Sequence, residues 1–135
     1  MIDKVIEDGE NLVANGQMLK AYLVEFYLTR SAINFSKMRL NNFSLDGKEM
    51  NKIYKEMRES AETALRISEE SFYPSGTIKS KLVLSIASYR NSEQESSNHY
   101  EDAMEIIKKQ SPGHGELKFL DLYNQYIQAM QAVKS

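Results

Sequence analysis

At 135 residues and 15.5 kDa the chain is the size of one domain, and it can bury a core without disulfide staples. With 17 basic against 19 acidic residues the net charge is −2, which excludes the strongly basic footprint of a general nucleic-acid binder. The absence of cysteine excludes a disulfide scaffold, thiol catalysis and cysteine zinc sites; it fits an intracellular, cytoplasmic protein. No apolar run is long enough to span a bilayer, and Met1-Ile2-Asp3-Lys4 does not read as a signal peptide, so no membrane partner is expected.

Breakers and periodicity divide the chain into helices. Ile2, Val5, Ile6, Leu12 and Val13 predict a short first helix, weakened by Gly9, and residues 1–15 read as a loosely attached segment. Asn15-Gly16 is a turn signal. From Gln17 to about Leu40, Leu19, Leu23, Phe26, Tyr27, Ile33 and Met38 recur at helical spacing, interrupted by Arg30 and Asn34. Ser44 and Asp46 are candidate N-caps for the longest helix, about Lys48 to Phe72, with Met50, Ile53, Tyr54, Met57, Ala61, Ala64, Leu65 and Phe72 on one face.

Tyr73-Pro74-Ser75-Gly76-Thr77 stops that helix. Ile78, Leu82, Val83, Leu84, Ile86, Ala87 and Tyr89 then make a helix apolar over most of its girth, which places it centrally. Ser92-Glu93-Gln94-Glu95 matches a capping box, and the helix it opens carries Tyr100, Ala103, Met104 and Ile107. Ser111-Pro112-Gly113-His114-Gly115 is a breaker. The last helix starts near Glu116, with Leu117, Leu120, Asn124, Ile127 and Met130 on one face. No strand-like alternation survives. The chain reads as a single all-α domain over 1–135: five or six antiparallel helices in a bundle or a solenoid of hairpins, without a strict tetratricopeptide repeat.

Little in this pattern asks for catalysis. There is no nucleophile elbow and no glycine-rich phosphate loop, so an enzyme is not expected. Glu95 and His99 have metal-ligand spacing but no second pair to complete a site, so neither a metal nor a cofactor is expected. His114, between two glycines, is either an ordinary loop residue or part of a backbone anion nest. Arg30 is more informative. It is either a surface arginine on the flank of its helix or a buried-side cation that needs a partner or an anion. Asn124 in the last helix is either a satisfied rim group or a donor to a ligand's backbone. Ser85, between Leu84 and Ile86, is either a packing residue or part of a site.

Residues 60–79, SAETALRISEESFYPSGTIK, resemble the junction of two late helices in 14-3-3 proteins, with Ala64, Ile67, Ser68, Pro74, Ile78, Lys79, Leu82 and Leu84 in the matching frame. Tyr100-Glu101-Asp102-Ala103-Met104 resembles a later segment of the same family. The resemblance implies a helical-hairpin array like the C-terminal half of that family. It also implies an adaptor that binds a peptide, with phosphorylated peptides as candidates, in a groove between helices. Arg30, Leu84 and Asn124 would fall on ligand-contacting positions, and Ser85 on the position of the family's backbone-gripping asparagine. Self-association is expected as cover for faces that further helices would otherwise cover. The alternative is a structural helical scaffold or subunit without phosphopeptide binding.

Overall fold

A computed structural model describes residues 2–14, 20–44, 46–110 and 112–134. Asn15-Gly16, Leu19 and Ser111 lie outside the described residues, as do the side chains of Leu12 and Val13. Among the described residues there are six helices and no strand: α1 (Ile2–Ala14), α2 (Lys20–Leu40), α3 (Gly47–Glu70), α4 (Pro74–Ser88), α5 (Glu93–Lys109) and α6 (His114–Lys134). None of them is long and apolar enough to cross a membrane.

The helix ends follow local chemistry, and here the sequence reading needs several corrections. Asp46, not Ser44, caps α3: its carboxylate accepts from the Glu49 N–H at 2.9 Å, while the Ser44 hydroxyl donates back to the Asn41 carbonyl. Ser92 caps α5 by accepting from Glu95 N–H at 3.1 Å. The reciprocal half of the capping box does not form, because Ser92 N–H already donates to the Ser88 carbonyl. Pro74 opens α4 instead of lying in the loop that stops α3, since a first-turn residue needs no N–H and proline's φ suits a helix. The last helix likewise begins at His114, and Leu117 N–H donates to the Gly113 carbonyl. The backbone around His114 is thereby drawn into the first turn of α6 rather than into a loop nest.

Two helices end in the same way. At the end of α2, Asn42 N–H donates to Arg39 and Phe43 N–H to Met38; at the end of α3, Phe72 N–H donates to Glu69 and Tyr73 N–H to Ser68. Both are Schellman pairs, which place the first residue beyond the cap in the left-handed region. Asn42 (φ 53°) tolerates this, whereas Phe72 (φ 54°) does not do so readily. Phe72 is therefore not on the buried face of α3; it sits past the helix end and is 91% exposed. A left-handed L-residue costs roughly 1–2 kcal/mol, and glycine's extra chain entropy returns about half of that. Phe72→Gly is expected to stabilise the fold by about 0.5–1 kcal/mol, read as a higher urea midpoint; an unchanged or lower midpoint would refute the strain account.

The core confirms that α4 is central. Ile78, Leu82, Val83, Leu84, Ile86 and Ala87 are all buried, and so are Ser80, Ser85 and Ser88. Helix α4 packs against α2, α3, α5 and α6. Consecutive helices α2 to α5 run antiparallel. Lys79 near the start of α4 meets both Glu25 early in α2 and Gly115 at the start of α6. At the other end Tyr126 of α6 meets Tyr89 and Phe43, so α2, α4 and α6 run in one direction. The buried face of α6 is set by Phe119 and Tyr126, with Leu122, Tyr123 and Met130 beside them. Of the expected face, Leu120, Ile127 and Met130 pack against the core, whereas Leu117 and Asn124 at its edge are exposed.

Candidate functional site

Helix α2 places Tyr27, Arg30 and Asn34 toward α1 and α3. The Arg30 guanidinium lies 5.5 Å from the centre of the Tyr27 ring. Its Nε donates to Ser60 Oγ of α3 at 2.8 Å, and its Nη1 to Asp3 Oδ1 of α1 at 2.8 Å. Asn34 Nδ2 donates to Glu56 Oε1 at 3.2 Å. Both polar interruptions of the α2 stripe thus have partners. A cleft of about 460 Å³ opens beside them, with Ile2, Val5 and Ile33 as apolar walls and Asp3, Thr29, Arg30, Asn34, Lys37 and Glu56 as polar ones.

The Arg30 pair is lopsided. The Arg30 side chain is only 21% exposed, whereas that of Asp3 is 71% exposed. The guanidinium hydrogen bond holds the Asp3 carboxyl below the usual aspartate range. An ion pair with one partner in water contributes little, because salt and water compete for it. About two turns along α1, the Tyr27 hydroxyl donates to the Glu10 carboxylate. Burial, and then that carboxylate, push the Tyr27 hydroxyl up to about 12. Helix α1 is therefore fixed by Ile6 in the core and by two acidic contacts to α2.

The other expected site residues are not brought to this cleft. Leu84 is buried within α4. Ser85 is 0% exposed; its hydroxyl donates to the Ser96 carbonyl at 2.7 Å, and Ser96 Oγ returns a bond to the Ser85 carbonyl at 2.7 Å. That reciprocal pair ties α4 to α5. Asn124 is exposed on α6. His99 Nε2 stands 3.7 Å from Glu95 Oε1, and His114 is exposed at the start of α6. Among the described residues, no three His, Asp or Glu side chains gather closely enough to hold a metal ion.

Two polar constellations escaped the sequence reading. In the first, Lys79, only 7% exposed, donates to Glu25 Oε1 at 2.6 Å, and Tyr73 OH donates to the same oxygen at 2.8 Å. A lysine next to the most apolar stretch of α4 was the available signal. In the second, Asn51, Tyr54, Lys55 and Arg58 of α3 face Ala87, Arg90 and Asn91 at the end of α4 around a cleft of about 230 Å³. Its only sequence signal was Asn51, Lys55 and Arg58 recurring at helical spacing. Comparison with protein families, with curated proteins and with solved structures gives no match.

Proposed function

We propose that the chain is a non-catalytic adaptor that docks a segment of a partner protein in the cleft between α1 and α2, with an acidic or phosphorylated side chain of that segment on Arg30. One observation carries this reading. Arg30 is pre-positioned by Ser60 and the Tyr27 ring in a cleft with one apolar wall, while Asp3, the one carboxylate it pairs with among the described residues, is exposed and displaceable. A guanidinium held in advance loses little side-chain freedom when it takes an oxyanion. The apolar contacts in this reading come from Ile2, Val5 and Ile33 rather than from Leu84, Ser85 and Asn124. The resemblance to 14-3-3 proteins supports the class of function, not these contacts.

A phosphoserine peptide library read by fluorescence anisotropy tests it. The wild type binds a subset of peptides only when they are phosphorylated. Arg30→Ala, checked for folding by circular dichroism, loses about tenfold or more, as expected for a charge-assisted hydrogen bond. Asp3→Asn removes the internal competitor and tightens binding by up to about fivefold, the value of an exposed ion pair. A wild type that binds no phosphopeptide would sink the reading. The burial of Leu84 and Ser85 favours a second reading, a purely structural helical subunit in which Arg30 only holds α1 in place. Asp3→Asn would then loosen α1 and create no binding.

A further inference from the structure

The cleft between α3 and the end of α4 is distinct from the Arg30 cleft, and it is lined by three cations and no carboxylate. Asn51, Lys55 and Arg58 lie on one face of α3, at spacings of four and three residues, and Arg90 faces them from just beyond α4. The two guanidiniums are positioned by neutral groups. Arg58 Nη2 donates to the Ala87 carbonyl at 3.2 Å. Arg90 lies 4.8 Å from the centre of the Tyr54 ring and donates from Nη1 to Asn51 Oδ1 at 3.4 Å. Each guanidinium has about five N–H donors, so most stay uncommitted in these contacts. With its oxygen turned to Arg90, the Asn51 side chain has its NH₂ left to donate.

The end of α4 explains why cations gather here but does not neutralise them. A helix C-terminus carries roughly half a negative charge, against three positive ones. The excess stands out on a chain whose net charge is −2. Room is not limiting, since about 230 Å³ compares with about 30 Å³ for each liquid water. Forked guanidiniums, an ammonium and amide donors around one opening are the donor set that matches a tetrahedral oxyanion.

We infer that this cleft binds a phosphate group, with Arg58 and Arg90 as the forked donors and Lys55 as the mobile counter-charge. The group is either free or carried on a peptide, and the chemistry of the cleft is the same for both.

The test uses the whole chain with three probes: inorganic phosphate, pyrophosphate and a phosphoserine peptide, each against sodium chloride at matched ionic strength. Thermal unfolding is expected to shift upward with at least one phosphate probe and not with chloride, because a ligand that binds only the folded state stabilises it. The side-chain amide signals of Asn51 and Asn91 are expected to move in the same titration. A response to the phosphopeptide alone assigns the group to a peptide; a response to free phosphate or pyrophosphate assigns it to a soluble ligand. Lys55→Gln with Arg58→Gln is expected to weaken binding by about tenfold or more. Lys55→Gln alone, at an exposed position, gives a smaller loss without risk to the fold. A shift that chloride reproduces, amide signals that stay still, or full binding by the double variant would overturn the assignment. Arg30→Ala leaves this response intact, which separates it from the docking reading above.

Discussion

Glu25→Ala is expected to destabilise the protein by about 2–3 kcal/mol, measured as a lower urea midpoint with an unchanged slope. The substitution leaves Lys79, almost wholly buried, without the carboxylate that holds its ammonium, and leaves Tyr73 OH without its acceptor. Removing one partner of a fully buried pair costs about 3–5 kcal/mol; the value expected here lies at or below the bottom of that range because the Glu25 side chain is one-third exposed (33%) and water recovers part of the loss. The surroundings do not help. Gly115, in the first turn of α6, sits so close that a Cβ there would come within 3.0 Å of Lys79 Nζ, and a helix start is electropositive. Replacing both partners, as in Glu25→Leu with Lys79→Met, is expected to restore most of the stability. A double variant as weak as Glu25→Ala would show that the pair does more than satisfy its own buried charge.

The same site fixes a limit at high pH. Burial, and then the hydrogen bond to Glu25, push the Tyr73 hydroxyl up to about 12, and Tyr27 is pushed equally far by burial and Glu10. The unfolded chain ionises its tyrosines near 10. The folded state therefore keeps a proton that the unfolded state has released. The resulting stabilisation is complete below about pH 10 and is lost as pH rises toward 12. Tyrosinate absorbance and loss of helical circular dichroism should rise together over that window. In Glu25→Ala the window narrows from its upper end and less stability is lost across it, because without that carboxylate the folded Tyr73 hydroxyl ionises closer to the unfolded value.

The second large effect is at Tyr126, the most voluminous fully buried side chain among the described residues. Its ring meets Phe43, Tyr54 and Tyr89 edge-on at centroid distances of 6.0, 6.3 and 5.7 Å. Its hydroxyl is 2.6 Å from that of Tyr54. Tyr126→Ala is expected to cost about 3–5 kcal/mol by leaving a cavity where α3, α4, α6 and the turn after α2 converge. Tyr126→Phe keeps the ring and costs about 1–3 kcal/mol, because the Tyr54 hydroxyl loses its partner. Adding Tyr54→Phe removes that orphan, so the double variant should lose less than the sum of the single ones. Strict additivity in this cycle would mean that the hydroxyl pair contributes nothing.

What the sequence discloses here is local. Proline, glycine and capping residues mark the helix breaks to within a few residues, because those signals act on their own backbone. The exceptions are instructive. Pro74 is compatible with either ending a loop or opening a helix, and only the packing of α4 decides. Phe72 reads as core by type, yet the Schellman ending of α3 ejects it. The site was less legible, since pairing is long-range: nothing in the string joins Arg30 to Asp3 and Ser60, or Lys79 to Glu25. One conflict was nevertheless visible. A helix apolar over most of its girth is buried on most faces, which is at odds with Leu84 and Ser85 of α4 also lining an open groove.

The seams of α4 are built from small side chains. Ser60, Ala61, Ala64 and Ser68 of α3, Gly76, Ser80, Ser85, Ala87 and Ser88 of α4, and Ser96 and Ala103 of α5 are all buried. At Gly76 even a methyl group would come within 2.8 Å of Val24 Cγ1 and of the Tyr73 ring. Such seams make sequence drift one-directional. Serine can give way to alanine at Ser31, Ser68 and Ser80, whose hydroxyls have no partner among the described residues, whereas added bulk in a close-packed interior strains its neighbours. Variation in related chains would therefore collect on α1, on the outer face of α6 and at the turns. The three helices α3, α4 and α5 would change least, as the frame on which any binding surface is hung.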